Sequence, residues 1–252
     1  MRLPFFPTIC YDFFMSLKFE RLYLALATLF SVIVIVSNLV TVKLISLPFT
    51  TLAIPCGLVA YPISFLVGDL ITEIYGERRA KFIVYVGFAM AMIAFLIIKL
   101  ALILPPHPQW VSINNSYGFS ASSDYQNAFA AIFDINGIAL VSSMLGYAAA
   151  QLMDIKLFAF LGELTKSKHL WIRNCGSTLA SQVIDTLVVN VLLLYCGLKL
   201  DLALVIKISL ICYIYKGIIT VCNIPMFYLA VWGAKKFLGQ HQLSFSEQAA
   251  RV

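Results

Sequence analysis

Long apolar runs, each stopped by prolines or by clustered charge, constrain this chain more than any other feature. They cover about residues 22–42, 52–76, 82–104, 135–161, 176–196 and 202–232. A helix needs about 20 apolar residues to cross the hydrocarbon of a bilayer, so each run is of spanning length. Of the 252 residues, 61% are hydrophobic and 12% charged. Soluble domains hold roughly 45–50% and 25%. A soluble globule of this size could neither bury so many apolar side chains nor cover itself with so few charges. That excludes an ordinary cytosolic enzyme, a disordered chain and a nucleic-acid binder. The chain reads as an all-α integral membrane protein, one polytopic domain of six transmembrane helices over residues 1–252.

Two spans should depart from straight helices. Pro48, Pro55 and Pro62 punctuate Leu47–Tyr75, the stretch that holds the second, and Pro225 interrupts the sixth, which is longer than the bilayer needs. Proline lacks an N–H and crowds the preceding turn, so kinks are expected in both. Residues 105–127, rich in Asn and Ser, form the one long polar connection and are expected to be a loop. The spanning length of the first run argues against a cleaved signal peptide, and Met15 offers a second candidate start. The six cysteines form no C-x-x-C pair and read as small buried or lipid-facing side chains.

Orientation follows from the 18 basic residues. Thirteen of them precede span one, join spans two and three, flank the turn between four and five (Lys156, Lys166, Lys168, Arg173), or follow span six. The opposite side holds Lys43, Lys99, Lys199 and Lys207. The positive-inside rule then places both termini in the cytoplasm. The net charge of +6 is a topology signal, not a nucleic-acid footprint.

Asp69, Glu73, Asp154, Asp185 and Lys216 fall inside the spans. A charge at the bilayer centre costs about 2.5–3.5 kcal/mol on insertion scales, so each needs a partner or a wet cavity. Asp185 and Lys216 fall near their span midpoints, and Asp69 and Asp154 roughly 7 Å toward the cytoplasm. Four helices carrying charge at similar depth suggest one shared polar cavity. Glu73 could instead pair with Arg78 or Arg79 at the interface, and Lys216 could form a structural salt bridge with Asp185 or Asp154. Gln151 precedes Asp154, and Gln182 precedes Asp185, by three residues, which sets each amide and carboxylate on one helical face. Together these groups offer donors and anionic acceptors suited to a planar heterocycle. Asn190 and Asn38 could add hydrogen bonds, or all four amides could act as interhelical glue.

His107, His169 and His241 all lie outside the spans, and no H-E-x-x-H, P-loop or G-x-S-x-G is present. An ATPase, a membrane-embedded enzyme, a metal centre and a bound cofactor are therefore not expected. A small transporter with a site near the midplane, beside interrupted helices, fits better.

Three stretches resemble the queuosine precursor transporter family. They are Asn38-Leu-Val-Thr-Val-Lys43 with Tyr61-Pro-Ile-Ser-Phe65-Leu-Val-Gly-Asp69-Leu-Ile-Thr-Glu73; the pattern W-x-R-N-x-x-S-T-x-x-S-Q-x-x-D-T from Trp171 to Thr186, preceded by Gln151-Leu-Met-Asp154; and Tyr215-Lys216 leading to Pro225. The sequence departs from the family at Gly68, where relatives commonly carry Thr, and at Ile224, where a Thr-Pro pair is usual. The resemblance implies a six-helix, vitamin-uptake-type transporter of the inner membrane. Its substrate would be preQ0, preQ1 or queuine, the 7-deazaguanine precursors of the tRNA nucleoside queuosine. For that substrate, Asp69 or Asp185 would accept the ring N–H and exocyclic amine together, and Lys216, Gln151, Gln182 or Asn190 would donate to the carbonyl. Tyr61, Phe65 and Tyr215 are candidate aromatic platforms, and Asp154 or Glu73 would pair the aminomethyl group of preQ1. Beyond substrate and lipid, a homo-oligomer stays open. The alternative is the substrate-binding subunit of an energy-coupling-factor transporter. Such subunits usually show an A-x-x-x-A surface in the first span, a spacing that Ala25 and Ala27 do not give.

Overall fold

The computed structural model describes residues 6–41, 43–46, 53–110, 119, 121–134, 137–166, 168–197 and 199–238. Helix α1 runs over Phe6–Val40, and the strands β1 (Leu44–Ser46) and β2 (Ala53–Pro55) form a small antiparallel ribbon after it. The ribbon pairs Leu44 with Pro55, Ile45 with Ile54 and Ser46 with Ala53. Then come α2 (Gly57–Ile103), α3 (Ser122–Phe133), α4 (Gly137–Leu164) and α5 (Leu170–Asn190). A π-helical turn, Val191–Gly197, extends α5, and α6 (Leu202–Cys222) and α7 (Ile224–Leu238) complete the order. The fold is thus helical apart from the short ribbon.

Five stretches among the described residues are long and apolar enough to cross a membrane: Leu17–Val40, Pro62–Ile103, Ser142–Leu164, Leu170–Gly197 and Leu202–Cys222. The second has 42 residues, about 63 Å if straight, or roughly twice the hydrocarbon thickness. It is not straight. Gly76 takes φ 83° and ψ 170°, a region open essentially to glycine alone. The contacts of α1 show how the two arms lie. At one end Gly57 abuts Thr41; at the other, the Tyr75 hydroxyl donates to the Phe19 carbonyl at 2.9 Å and Arg79 pairs with Glu20 at 2.8 Å. Farther along the second arm, Gly87 meets the Phe30 ring. Residues 57–75 therefore run antiparallel to α1, and residues 77–103 run back parallel to it. Phe30, Val34, Ile71, Ile83 and Val84 are buried in the cleft between the arms. At the turn the Arg79 guanidinium lies 5.2–6.0 Å from the Tyr23, Phe19 and Tyr75 rings, a cation–π cluster of the kind that anchors helix ends at a membrane interface.

Several boundaries correct the sequence expectation. Residues 53–55 are not helical; they form β2, and the second helical run begins only at Gly57, beyond Pro55. Pro62 lies inside the helix, whereas the sharp break falls at Gly76. Residues 122–127, expected as loop, belong to α3. The Asp124 carboxylate accepts from the Ala121 backbone N–H at 3.0 Å, and Trp110 stacks on Tyr125 at 5.6 Å, so local caps and aromatic packing order this polar segment. The sixth run is divided: α6 ends at Cys222, Asn223 caps it, and Pro225 occupies the first turn of α7, where its missing N–H costs nothing. The five described cysteines form no disulfide.

The distribution of side chains is that of a protein in lipid. Ile103, Leu164, Leu229 and Leu96 are 65–79% exposed, while Asp69, Gln151 and Asp154 are fully buried. Water would reverse that arrangement, because an apolar surface of this extent is unfavourable in contact with it.

Candidate functional site

The inner face of α5 is the backbone of the site. Its buried residues are Arg173, Asn174, Cys175, Ser177, Thr178, Ser181, Gln182, Asp185 and Thr186. Their spacing of three and four residues makes one continuous polar stripe along a helix whose other faces are apolar. Such a stripe is unstable against lipid, so it must meet polar partners. Those partners come from the first arm of α2, from α4 and from α6.

From the end nearest the α2 turn, the stripe makes four sets of contacts. Arg173 pairs with Glu73 at 2.7 Å and lies 4.4 Å from the centre of the Phe158 ring. Asn174 donates through Nδ2 to Asp69 Oδ2 at 2.5 Å. Ser181 donates to Asp154 Oδ1 at 3.3 Å, with Ser177 and Thr178 beside the same carboxyl. Asp185 accepts a charge-assisted hydrogen bond from Lys216 Nζ on α6, with Thr186 Oγ1 at 3.5 Å from the same nitrogen. Just beyond, Asn190 donates to Ser209 Oγ at 2.8 Å, at the point where α5 widens into its π turn. Such turns recur where a helix must present groups to a ligand.

Two cavities lie along this seam and meet at Lys216. The larger, about 790 Å³ including space open to the outside, is lined by Ser37, Asn38, Ser143, Tyr147, Asp185, Asn190 and Lys216 among others. The smaller, about 410 Å³ counted the same way, is lined by Phe65, Asn174, Thr178, Gln182, Lys216 and Thr220 with their neighbours. The Phe65 and Tyr147 rings meet edge to face, their centroids 6.2 Å apart, and each faces one of the two cavities.

The candidates from sequence thus divide. Asp185, Asn190 and Lys216 line the larger cavity; Phe65, Gln182 and Lys216 line the smaller. Asp69, Asp154 and Gln151 pack together behind the cavity walls. Gln151 packs directly against Gly68, where any side chain would strike its amide. Tyr215 lines neither cavity. The side chain of Tyr61 lies outside the described residues. Glu73 pairs with Arg173 on a neighbouring helix rather than with Arg78 or Arg79 one turn away, and Arg173 is consequently buried in the seam instead of standing free as a cytoplasmic charge. Lys216 takes Asp185, not Asp154. Among the described residues no cluster of His, Cys, Asp and Glu could hold a metal ion.

Asn174, Thr178, Tyr147 and Ser143 were not singled out as site residues from sequence. The first two carry a signal that was available, the 3.6-residue polar period of α5. Tyr147 and Ser143 carry none, because a lone aromatic or hydroxyl in an apolar helix is common.

The comparisons with known proteins point to a transporter. No solved structure matches the chain. The chain is 28% identical over 196 residues to the "Probable queuosine precursor transporter" of Bacillus subtilis (strain 168), covering 77% of this chain and 78% of that protein. The model of the family described as "Putative vitamin uptake transporter" matches residues 55–230, the whole of the polar seam included. With well over half of its length matched, the chain belongs to this vitamin uptake transporter family.

Proposed function

We propose that the protein imports a 7-deazaguanine precursor of queuosine across the inner membrane, by alternating access around Lys216. One observation carries this reading. Asp185 and Lys216 stand side by side on the wall of the larger cavity. The pairing edge of a 7-deazaguanine presents, in a row, a carbonyl acceptor, a ring N–H and an amine. An ammonium beside a carboxylate is the complement of that edge, and both contacts are charge-assisted. Tyr147 supplies a flat apolar face in the same cavity, and Asn38 and Asn190 supply further hydrogen-bonding groups at its rim. In the smaller cavity the buried Gln182 Oε1 has no hydrogen-bond partner, so it offers an acceptor to a ligand passing Lys216. The name of the Bacillus subtilis relative supports the same substrate class.

In this reading the arms of α2 are two spans, which gives six in all, with both termini in the cytoplasm. The larger cavity lies toward the outer end of α1, near Thr41, and the smaller toward Asn174 and Asn223 at the inner ends of α5 and α6. The substrate would pass from one to the other as the Asp185–Lys216 pair changes partners. Expression in cells that neither make nor import queuosine precursors, fed preQ0, preQ1 or queuine separately, tests the proposal. Queuosine should reappear in tRNA with at least one of the three, and its absence with all of them refutes the reading.

A further inference from the structure

The seam between α2, α4, α5 and α6 holds four carboxylates, Asp69, Glu73, Asp154 and Asp185, against two cations, Arg173 and Lys216. Glu73 engages Arg173 and Asp185 engages Lys216. Asp69 and Asp154 are left over, both at 0% exposure. Their carboxyls face one another from α2 and α4. Arg173 lies close enough for its charge to act on Asp69, but its guanidinium is held by Glu73. The donors that reach the pair are neutral: Asn174 for Asp69, and Ser181, with Ser177 and Thr178 beside it, for Asp154. Asp69 Oδ1 and Asp154 Oδ2 find no donor, and the buried Gln151 amide, one turn from Asp154, has neither an acceptor for its Nε2 nor a donor for its Oε1.

Two unpaired negative charges in contact, inside a protein surrounded by lipid, would cost many kcal/mol. Two carboxyls can hydrogen-bond to each other only when a proton sits between them. Neither residue lines either of the two cavities described above, so the pair stands apart from them. We propose that Asp69 and Asp154 form a proton-carrying site, distinct from the substrate cavities, and that a proton taken up there from outside and released to the cytoplasm drives import. The coupling rests on the transport reading above; the proton site itself does not. Asn174 provides the connection, since it lines the smaller cavity and donates to Asp69, with Thr178 on the same cavity wall beside Asp154. A ligand that draws on those groups changes what the pair can hydrogen-bond to.

Two measurements on the purified full chain test this. Infrared spectroscopy at neutral pH should show the carbonyl stretch of a protonated carboxyl, lost or shifted in Asp154→Asn and in Asp69→Asn. In proteoliposomes, accumulation of labelled preQ0, which is uncharged, should rise about tenfold for each pH unit by which the outside is more acidic, if one proton accompanies each molecule. Absence of the band in the wild-type protein overturns the site. A band combined with accumulation indifferent to the proton gradient, or following a sodium gradient instead, overturns the coupling. Both readouts use the wild-type chain, so a variant that fails to fold does not decide them. Failure of the substrate reading looks different: no uptake occurs with or without a gradient, and the coupling falls while the band persists.

Discussion

Lys216 is the residue on which the arrangement turns, because it borders both cavities and binds Asp185. Lys216→Met removes the cation and leaves a buried carboxylate; Asp185→Asn leaves a buried ammonium. Breaking one side of a buried pair typically costs about 3–5 kcal/mol, whereas replacing both sides with groups of similar shape is often nearly neutral. We therefore expect each single variant to unfold at markedly lower temperature in detergent. The double variant should recover most of that stability yet transport nothing, because the edge-recognising pair is gone. Thermal unfolding and precursor uptake on the three proteins check this; uptake by the double variant would remove the pair from the binding site. The Arg173–Glu73 pair lines neither cavity, and its double replacement should restore stability and retain uptake. The sequence made all of these charges conspicuous except Arg173. It counts as a flanking basic residue by position, and only the packing of α5 against α2 shows it as an internal partner.

At the scale of elements, the break at Gly76 decides how α2 is used. A non-glycine residue at φ 83°, ψ 170° carries about 1–3 kcal/mol of backbone strain. Gly76→Ala should therefore lower the unfolding temperature, and Pro62→Ala should change it much less, since Pro62 lies within a helix that continues past it. An equal effect of the two would mean that the proline, not the glycine, sets the bend. The contrast also explains what could be read in advance. Prolines announce an interrupted helix because their chemistry is local, so the second and sixth runs stood out. A glycine announces nothing, because its conformation is set by what the chain must do on either side. Here that is the docking of Tyr75 and Arg79 on Phe19, Tyr23 and Glu20, more than fifty residues away. Helix α3 was hidden for a related reason. Its first half, Ser122 to Asn127, is polar, and it is held by Trp110 and Phe119 against Tyr125, and by Gln126 donating to the Leu102 carbonyl at 3.0 Å. The stripe on α5 was fully legible as a period, but which positions face a cavity and which face protein depended on neighbouring helices.

For the molecule as a whole, the number of membrane crossings fixes the relation of its ends, and charge supplies an independent constraint. If α2 crossed once, the five long apolar stretches would leave the two ends on opposite sides; if its arms cross separately, six crossings return the chain to the side it started from. The contacts favour the second case, since Glu20, before the first apolar run, binds Arg79 at the turn. The basic residues Arg78, Arg79 and Lys81 at the turn and Lys235 and Lys236 on the last helix would then share one face, as the positive-inside rule requires. The Lys99–Asp134 pair and His107 would lie on the other. Single cysteines placed in a cysteine-free background at Arg78, Lys235 and His107 test the arrangement with a membrane-impermeant thiol reagent. The His107→Cys protein should label in intact cells, and the Arg78→Cys and Lys235→Cys proteins only after the membrane is opened. Labelling of Arg78→Cys and Lys235→Cys from outside, with His107→Cys protected, would mean that the chain is inverted in the membrane, and the larger cavity would then face the cytoplasm rather than the outside.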